Sequence, residues 1–268
     1  MKTEWGGVRS GLDAFDLTGK RALVIGAGNP AGRAAALALG EAGADVVVCA
    51  TSTDGDEVMA VKRVQQEIAK MGRRSSSVAC DVTLGTGVQV TVRQVAKDLG
   101  GIDVLVNAPK LFLGKAADAI TDVEWSRVLQ VNLFGTFHAC RAVGKEMLKQ
   151  GGGGRIVNVA SVLGERAIAN AAAYCAAEAG ILNLTRALAV EWGPRGVTVN
   201  AIAQGWMEHS AAIGDLDPAA NQTVRFVPMK RAGAADEIGP LVVYLASDAS
   251  GYISGQTLFV DGGLSTHL

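Results

Sequence analysis

The sequence predicts an α/β fold in which a parallel sheet is covered by helices on both faces. Short β-branched stretches alternate with longer segments of helical period, and the short stretches are apolar throughout, as in strands buried on both faces. No internal repeat or linker interrupts the alternation, which indicates one domain. The predicted class is therefore a Rossmann-type, doubly wound, seven-stranded parallel sheet in a single domain.

The same pattern predicts the individual elements. Strands are expected at 21–25, 45–49, 77–80, 102–107, 155–160, 197–202 and 256–260. The clearest helices are expected at 33–39, 57–71, 125–150 and 171–192. We expect residues 1–15 to be an N-terminal extension, 16–268 to be the domain, and 207–226 to form an apolar lid over the substrate pocket.

Composition and charge exclude several classes of function. The 268 residues contain 25 Lys and Arg against 26 Asp and Glu, so the chain as a whole has no electrostatic attraction to nucleic acid or to an anionic membrane. No charge-free stretch reaches the roughly 18 residues that a membrane helix needs. The first residues lack the apolar run of a secretory signal, so we expect a cytoplasmic protein. The Cys and His residues lack metal-ligand spacing, and we predict no metal site.

A glycine-rich turn follows the first predicted strand. Gly26, Gly28 and Gly32 lie between this strand and the first predicted helix. Glycines at such a place let the backbone approach a pyrophosphate, and the N-terminus of the helix attracts it. The turn therefore favours a dinucleotide site. The alternative is a plain tight turn that needs glycine for its backbone conformation and close packing.

Motifs along nearly the whole chain resemble those of the short-chain dehydrogenase/reductase family. They are LTGK at 17–20, DVT at 81–83, IDVLVN at 102–107, VNL at 131–133, RIVNVAS at 155–161, Tyr174 and GQTLFVDGG at 255–263. The resemblance implies an NAD or NADP cofactor over the carboxyl ends of the strands, and hydride transfer to or from a carbonyl, alcohol or acyl thioester substrate. It also implies cofactor contacts from the three turn glycines, Thr51, Asp81, Val82 and Asn107.

The family's catalytic set is Asn, Ser, Tyr and Lys, and three of the four match here. Asn132, Ser161 and Tyr174 have the family's order and spacing, but Glu178 stands where the family has lysine. That lysine lowers the pKa of the phenol and holds the nicotinamide ribose. At about 5 Å and an effective dielectric near 20, a unit charge is worth about 3 kcal/mol, so exchanging attraction for repulsion costs the phenolate up to about 6 kcal/mol. Tyr174 catalysis near neutral pH is therefore predicted to be impaired.

Further departures from the family fall at cofactor positions. Pro30 replaces the middle glycine of the turn, which brings bulk and removes an N–H group. Ala50 and Thr51 lack both the acid and the arginine by which the family chooses between NAD and NADP. Lys110 replaces a glycine after the fourth strand. The pattern predicts an altered site on an intact fold, with cofactor binding changed or lost.

Three functions remain open from the sequence. The first is a subunit without turnover of its own, assembled into a dimer or tetramer with an active homologous subunit, as in heteromeric hydroxyacyl-CoA dehydrogenases. The small residues of 171–180 suit such a helix contact, or equally packing on the sheet. The second is an active oxidoreductase in which Lys110 supplies a relocated cation and pairs with Glu178. The third is a non-redox enzyme or a ligand-binding protein on the same fold.

Overall fold

Seven parallel strands form one sheet in the computed structural model, which describes residues 11–208 and 224–266. The strands are β1 Arg21–Ile25, β2 Asp45–Ala50, β3 Ser75–Ala79, β4 Val104–Asn107, β5 Gly154–Ser161, β6 Val197–Gln204 and β7 Thr257–Val260. Their order in the sheet is β3-β2-β1-β4-β5-β6-β7. The direction of winding reverses between β1 and β4, and ligands of doubly wound folds bind in the crevice at such a point.

Helices cover both faces of this sheet. They are α1 Pro30–Glu41, α2 Gly55–Lys70, α3 Gly85–Leu99, α4 Asp122–Leu129, α5 Gly135–Gln150, α6 Ala172–Trp192 and α7 Gly239–Ala246. Successive strand residues point to opposite faces, so Val24 and Val48 pack with α1, α2 and α7, whereas Leu23 and Val47 pack with α3, α5 and the end of α6. The predicted fold class, including the number of strands and the single domain, is confirmed.

The predicted helix over 125–150 contains one π-helical turn. Residues 122–150 are helical without a break, as α4, the π-helical turn Gln130–Phe134 and α5. Asn132 lies in this turn and is fully buried, and both ends of its amide hydrogen-bond the backbone of Leu111. A side chain that bonds outside the helix at a wider turn leaves no signal in the hydrophobic period. The helical prediction for 125–150 is therefore confirmed, and the π-helical turn within it was not predicted.

Several strand boundaries differ from the prediction by one or two residues, and two of the differences have a visible cause. β3 begins at Ser75, two residues early, because its backbone pairs with β2 although Ser75, Ser76 and Ser77 are polar. β4 begins at Val104 because the side chain of Gln150 binds the backbone of Ile102. Its Oε1 accepts from the Ile102 N–H at 2.8 Å, and its Nε2 donates to Ile102 O at 2.9 Å.

The boundaries of the extension and the lid stay predictions. Of the extension, residues 11–15 are described, and the Phe15 ring lies 5.9 Å from that of Tyr244 on α7. Residues 1–10, and residues 209–223 of the lid with Ile213 and Leu216, lie outside the described residues. Among the helices that the structure describes, none is long and apolar enough to cross a membrane.

Candidate active site

The glycine turn sits at the crevice between β1 and β4. Gly26 has φ +88°, and a Cβ there would collide with the carbonyl of Ala108 after β4. A Cβ at Gly32 would likewise collide with the carbonyl of Gly26. Asn29 caps α1: its amide oxygen accepts from the Gly32 N–H at 3.0 Å, and its amide nitrogen donates to Ala108 O at 2.6 Å. The cap therefore uses one of the N–H groups that the first turn of α1 would offer to a pyrophosphate.

The carboxylate of Glu57, which the sequence analysis did not single out, binds the residues that follow the carboxyl end of β2. Glu57, in the first turn of α2, accepts from the Thr51 N–H at 2.7 Å, from the Thr51 hydroxyl at 2.8 Å and from the Ser52 hydroxyl at 2.6 Å. A Cβ at Gly28 would lie 2.8 Å from Glu57 Cγ, so the absence of a side chain at this position makes room for the glutamate. The only signal in the sequence was an acid shortly after the end of the second strand.

Asp81 and Val82 lie beside this end of β2. Val82 is fully buried and donates its N–H to Thr51 O at 3.0 Å, which joins the two segments. Asp81 accepts from the Thr83 N–H at 2.9 Å and the Thr83 hydroxyl at 2.6 Å. The N-cap of α3 is Leu84, so Asp81 stabilises the turn before the helix and does not cap it.

Asn107, the last residue of β4, turns its side chain into the core. It is 1% exposed and donates to Asn158 Oδ1 at 3.0 Å and to Cys140 Sγ at 3.2 Å. Asn158 in turn donates to Thr185 Oγ1 at 2.9 Å. The structure thus places this predicted cofactor residue in a buried polar network between β4, β5 and α6.

Asn132 fastens the loop that follows β4. Its amide accepts from the Leu111 N–H at 2.7 Å and donates to Leu111 O at 2.8 Å. The neighbouring residue Phe112 places its ring 5.2 Å from the ring of Tyr174, edge to face. Asn132 therefore positions the segment that carries Lys110 and Phe112 against α6.

Ser161 lies at the end of β5 and Tyr174 in the first turn of α6, close enough for the Ser161 hydroxyl to affect the pKa of Tyr174. Ser161 is 5% and Tyr174 1% exposed, and the Ser161 hydroxyl accepts from the Leu163 N–H at 3.2 Å. Burial, followed by the negative charge of Glu178, raises the pKa of Tyr174 well above its usual value, against the opposing effect of the Ser161 hydroxyl. The Tyr174 hydroxyl has no hydrogen-bond partner among the described residues.

Glu178 lies one turn further along α6 and is equally buried. It is 2% exposed, and its Oε2 also has no hydrogen-bond partner in the described part of the chain. Burial raises the pKa of Glu178 to about 7, against the opposing charge of Lys110. Burial in turn lowers the pKa of Lys110, and Glu178 counteracts that effect. The Lys110 ammonium lies 5.7 Å from the centroid of the Tyr174 ring.

The residues of this crevice fit a dinucleotide at both ends. Tyr174 Oη and Glu178 Oε2 are buried polar atoms for which residues 11–208 and 224–266 provide no hydrogen-bond partner, and a ribose hydroxyl or a substrate oxygen would supply one. At the other end, Gly28 and Thr51 flank the place where a doubly wound fold holds the adenosine ribose. Gly26, Thr51, Asn107 and Ser161 all lie at or just after carboxyl ends of adjacent strands. The fold and this arrangement define a Rossmann-type oxidoreductase.

Comparison with known proteins identifies the family. A family model described as Enoyl-(Acyl carrier protein) reductase matches residues 26–265. The chain is 38% identical to D-threitol dehydrogenase of Mycolicibacterium smegmatis over 93% of this chain and 94% of that protein. It is 35% identical to the 3-oxoacyl-acyl-carrier-protein reductase FabG of Vibrio cholerae, over 93% and 99% of the two chains.

A solved structure agrees with the same assignment. The gluconate 5-dehydrogenase of Burkholderia cenocepacia, in complex with NADP and tartrate, superposes with a TM-score of 0.89 at 32% identity, covering 96% of this chain and 99% of that one. The chain therefore belongs to the short-chain dehydrogenase/reductase family.

Proposed function

We propose that this chain is a subunit of an NAD(P)-dependent short-chain dehydrogenase whose own proton-transfer group is impaired, and that a homologous subunit carries turnover in the assembly. The observation that carries the proposal is the pair Tyr174 and Glu178, both almost fully buried on one face of α6. A carboxylate one turn from the phenol opposes the ionisation that proton transfer requires.

The chemistry needs a proton acceptor at the substrate oxygen. A nicotinamide cofactor, when bound, would supply the hydride transfer at the carbinol or carbonyl carbon of the substrate. The hydroxyl proton must leave or arrive at the same time, and Tyr174 stands at the family's position for this transfer. With its pKa raised by burial and by Glu178, its phenolate is scarcely populated near neutral pH.

Lys110 does not restore the missing charge at the phenol. Its ammonium faces the tyrosine ring rather than replacing the lysine one turn after it on α6. Its charge acts on Glu178, whose pKa it lowers, while the pKa of Tyr174 stays raised. The arrangement therefore partly neutralises Glu178 and leaves the phenol protonated.

An exposed helix surface supports the role of an assembly partner. The outward face of α6 carries small side chains that would let a second helix approach closely, namely Ala172, Ala176, Ala179 and Ala187. Phe134, at the start of α5, is 50% exposed. A homologous subunit that retains lysine at the position of Glu178 is the partner that fits this surface.

A kinetic test distinguishes an impaired subunit from an active enzyme. The purified chain is assayed with NAD and NADP against threitol, gluconate and a 3-oxoacyl thioester, the substrate classes named by its relatives. We expect no turnover by the natural chain and a gain of about a hundredfold or more over background for Glu178→Lys. Adding Tyr174→Phe should abolish the gain. Turnover by the natural chain that disappears in Tyr174→Phe would overturn the proposal.

One observation favours a second candidate, an active enzyme with a relocated cation. Lys110 is the cation that approaches the Tyr174 ring, and it interacts with Glu178, as this candidate requires. In that case the natural chain turns over substrate, and Lys110→Met removes the activity as completely as Tyr174→Phe. The exchange Glu178→Lys with Lys110→Gly would also remove it.

A further inference from the structure

The carboxyl end of β2 gathers three hydrogen-bond donors on one carboxylate. The Thr51 N–H and hydroxyl both meet Glu57 Oε1, and the Ser52 hydroxyl meets Glu57 Oε2. Backbone N–H groups and hydroxyls converging on one point form a binding site for an anion. In this chain that anion is part of the protein itself.

The position of this carboxylate relative to the glycine turn is fixed by two contacts. β1 and β2 pair in register with Ile25 opposite Cys49, so the glycine turn and Thr51 emerge side by side. Gly28 then abuts Glu57, because a Cβ there would lie 2.8 Å from Glu57 Cγ. In a doubly wound fold the residue that follows β2 meets the 2′ position of the adenosine ribose. Glu57 therefore lies at that position, although it comes from α2.

The charge at this place decides between the two cofactors, which differ by one phosphate on the 2′ oxygen. A 2′-phosphate would bring a second anion beside Glu57 and would find Thr51 and Ser52 already engaged. Arg33 on α1 could supply a cation for the phosphate, but it forms a salt bridge with Glu67 at 2.6 Å. A 2′-hydroxyl is a donor, and a carboxylate offers about four acceptor sites, of which three are used here.

We propose that Glu57 is the residue that determines cofactor specificity in this chain, accepting the 2′-hydroxyl of NAD(H) and excluding the 2′-phosphate of NADP(H). The inference rests on the proposed function to the extent that it requires a retained dinucleotide site. The inference does not depend on whether Tyr174 can transfer a proton, because the experiment measures cofactor binding and not turnover.

Binding of NADH and NADPH to the full chain, measured by isothermal titration calorimetry, tests the proposal. We expect the natural chain to bind NADH at least about tenfold more tightly than NADPH, a difference of about 1.4 kcal/mol. Glu57→Gln keeps the size of the side chain and removes its charge. It should therefore bind NADPH more tightly than the natural chain does, and the ratio of the NADH affinity to the NADPH affinity should fall about tenfold. Asp56→Asn removes the same charge from the neighbouring exposed residue and should leave the ratio unchanged.

The outcomes separate this inference from the proposed function. Equal affinity of the natural chain for NADH and NADPH would overturn the role of Glu57 and leave the proposed function standing. Binding of neither would overturn both the inference and the retained cofactor site. An equal loss of both affinities in Glu57→Gln would show a merely structural role and would also overturn it. Thermal melts of each variant establish folding, and Glu57→Ala replaces Glu57→Gln should the latter fail to fold.

Discussion

The Lys110 ammonium lies 5.7 Å from the centroid of the Tyr174 ring, and its charge acts on Glu178 one turn further along α6. A cation, a phenol and a carboxyl group thus share one buried place, contributed by the loop after β4 and the first turns of α6. The family has lysine at the position of Glu178 and glycine at the position of Lys110. This chain keeps one cation near the phenol but moves it from α6 to the loop, and it adds a carboxyl group on α6, so the net charge of the two positions is lower than in the family.

Glu178 makes the stability of the folded chain depend on pH in an unusual direction. Its pKa is raised from 4.5 to about 7 in the folded state, so the folded chain binds a proton more tightly than the unfolded chain does. The stabilisation is fully present below pH 4.5 and is lost as the pH rises through about 7. We expect the group to remove about 3 kcal/mol from the free energy of unfolding across that window.

Urea denaturation of the natural chain and of Glu178→Gln between pH 5 and pH 8 measures this effect. The natural chain should lose stability with rising pH, and Glu178→Gln should lose much less. Glu41→Gln, which alters an exposed carboxylate on α1, is the control and should follow the natural chain. Parallel pH profiles of the natural chain and Glu178→Gln would contradict the prediction.

Lys110 sets the pH at which this loss occurs. Its positive charge lowers the pKa of Glu178, so removing the charge should raise that pKa above about 7. In Lys110→Met the loss of stability should therefore begin at the same pH but continue to a higher pH than in the natural chain. The same denaturation series, extended above pH 8, measures the pH at which the loss ends. An unchanged end point would show that the two groups do not interact in solution.

The sequence predicted the scaffold well because the scaffold depends on pattern. Most of the buried parallel strands read as apolar runs, and the seven predicted regions matched the number of strands, whereas the structure was needed for their order in the sheet. Tyr174 and Glu178 share a face of α6 because residues four apart on a helix do so.

The sequence did not predict contacts made across the fold by single side chains. The hydrogen bonds between Asn132 and Leu111 join residues distant in the sequence, and the one between Glu57 and Thr51 closes a local turn. Neither kind of contact produces a periodic pattern in the sequence. The inward turn of Asn107 toward Asn158 is likewise decided by which polar atoms a core can pair. The motifs thus indicated which positions belong to the site region, and the structure was needed to show which atoms those side chains contact.

Asn132 should stabilise the loop after β4 through its two bonds to Leu111. Asn132→Ala removes both and leaves the Leu111 backbone groups without those partners, so we expect a loss of about 2 kcal/mol in the free energy of unfolding. Asn132→Asp keeps the acceptor for the Leu111 N–H and loses the donor to its carbonyl. Because the loop positions Lys110, Asn132→Ala should also shift the pH profile of stability toward that of Lys110→Met. A destabilised variant with an unshifted profile would contradict the positioning role.

We expect position 28 to require glycine because of the Glu57 side chain, and not because of the backbone conformation of the turn. Alanine at position 28 places its Cβ 2.8 Å from Glu57 Cγ, so the glutamate must move and weaken its bonds to Thr51 and Ser52. We expect Gly28→Ala to lower the free energy of unfolding by about 1 to 2 kcal/mol in the natural chain. In a chain that already carries Glu57→Ala, the same substitution should cost far less, because the atoms it would meet are gone. Urea denaturation of the two single variants and the double variant gives the interaction energy directly. An equal cost in both backgrounds would show that Gly28 is required by the turn itself.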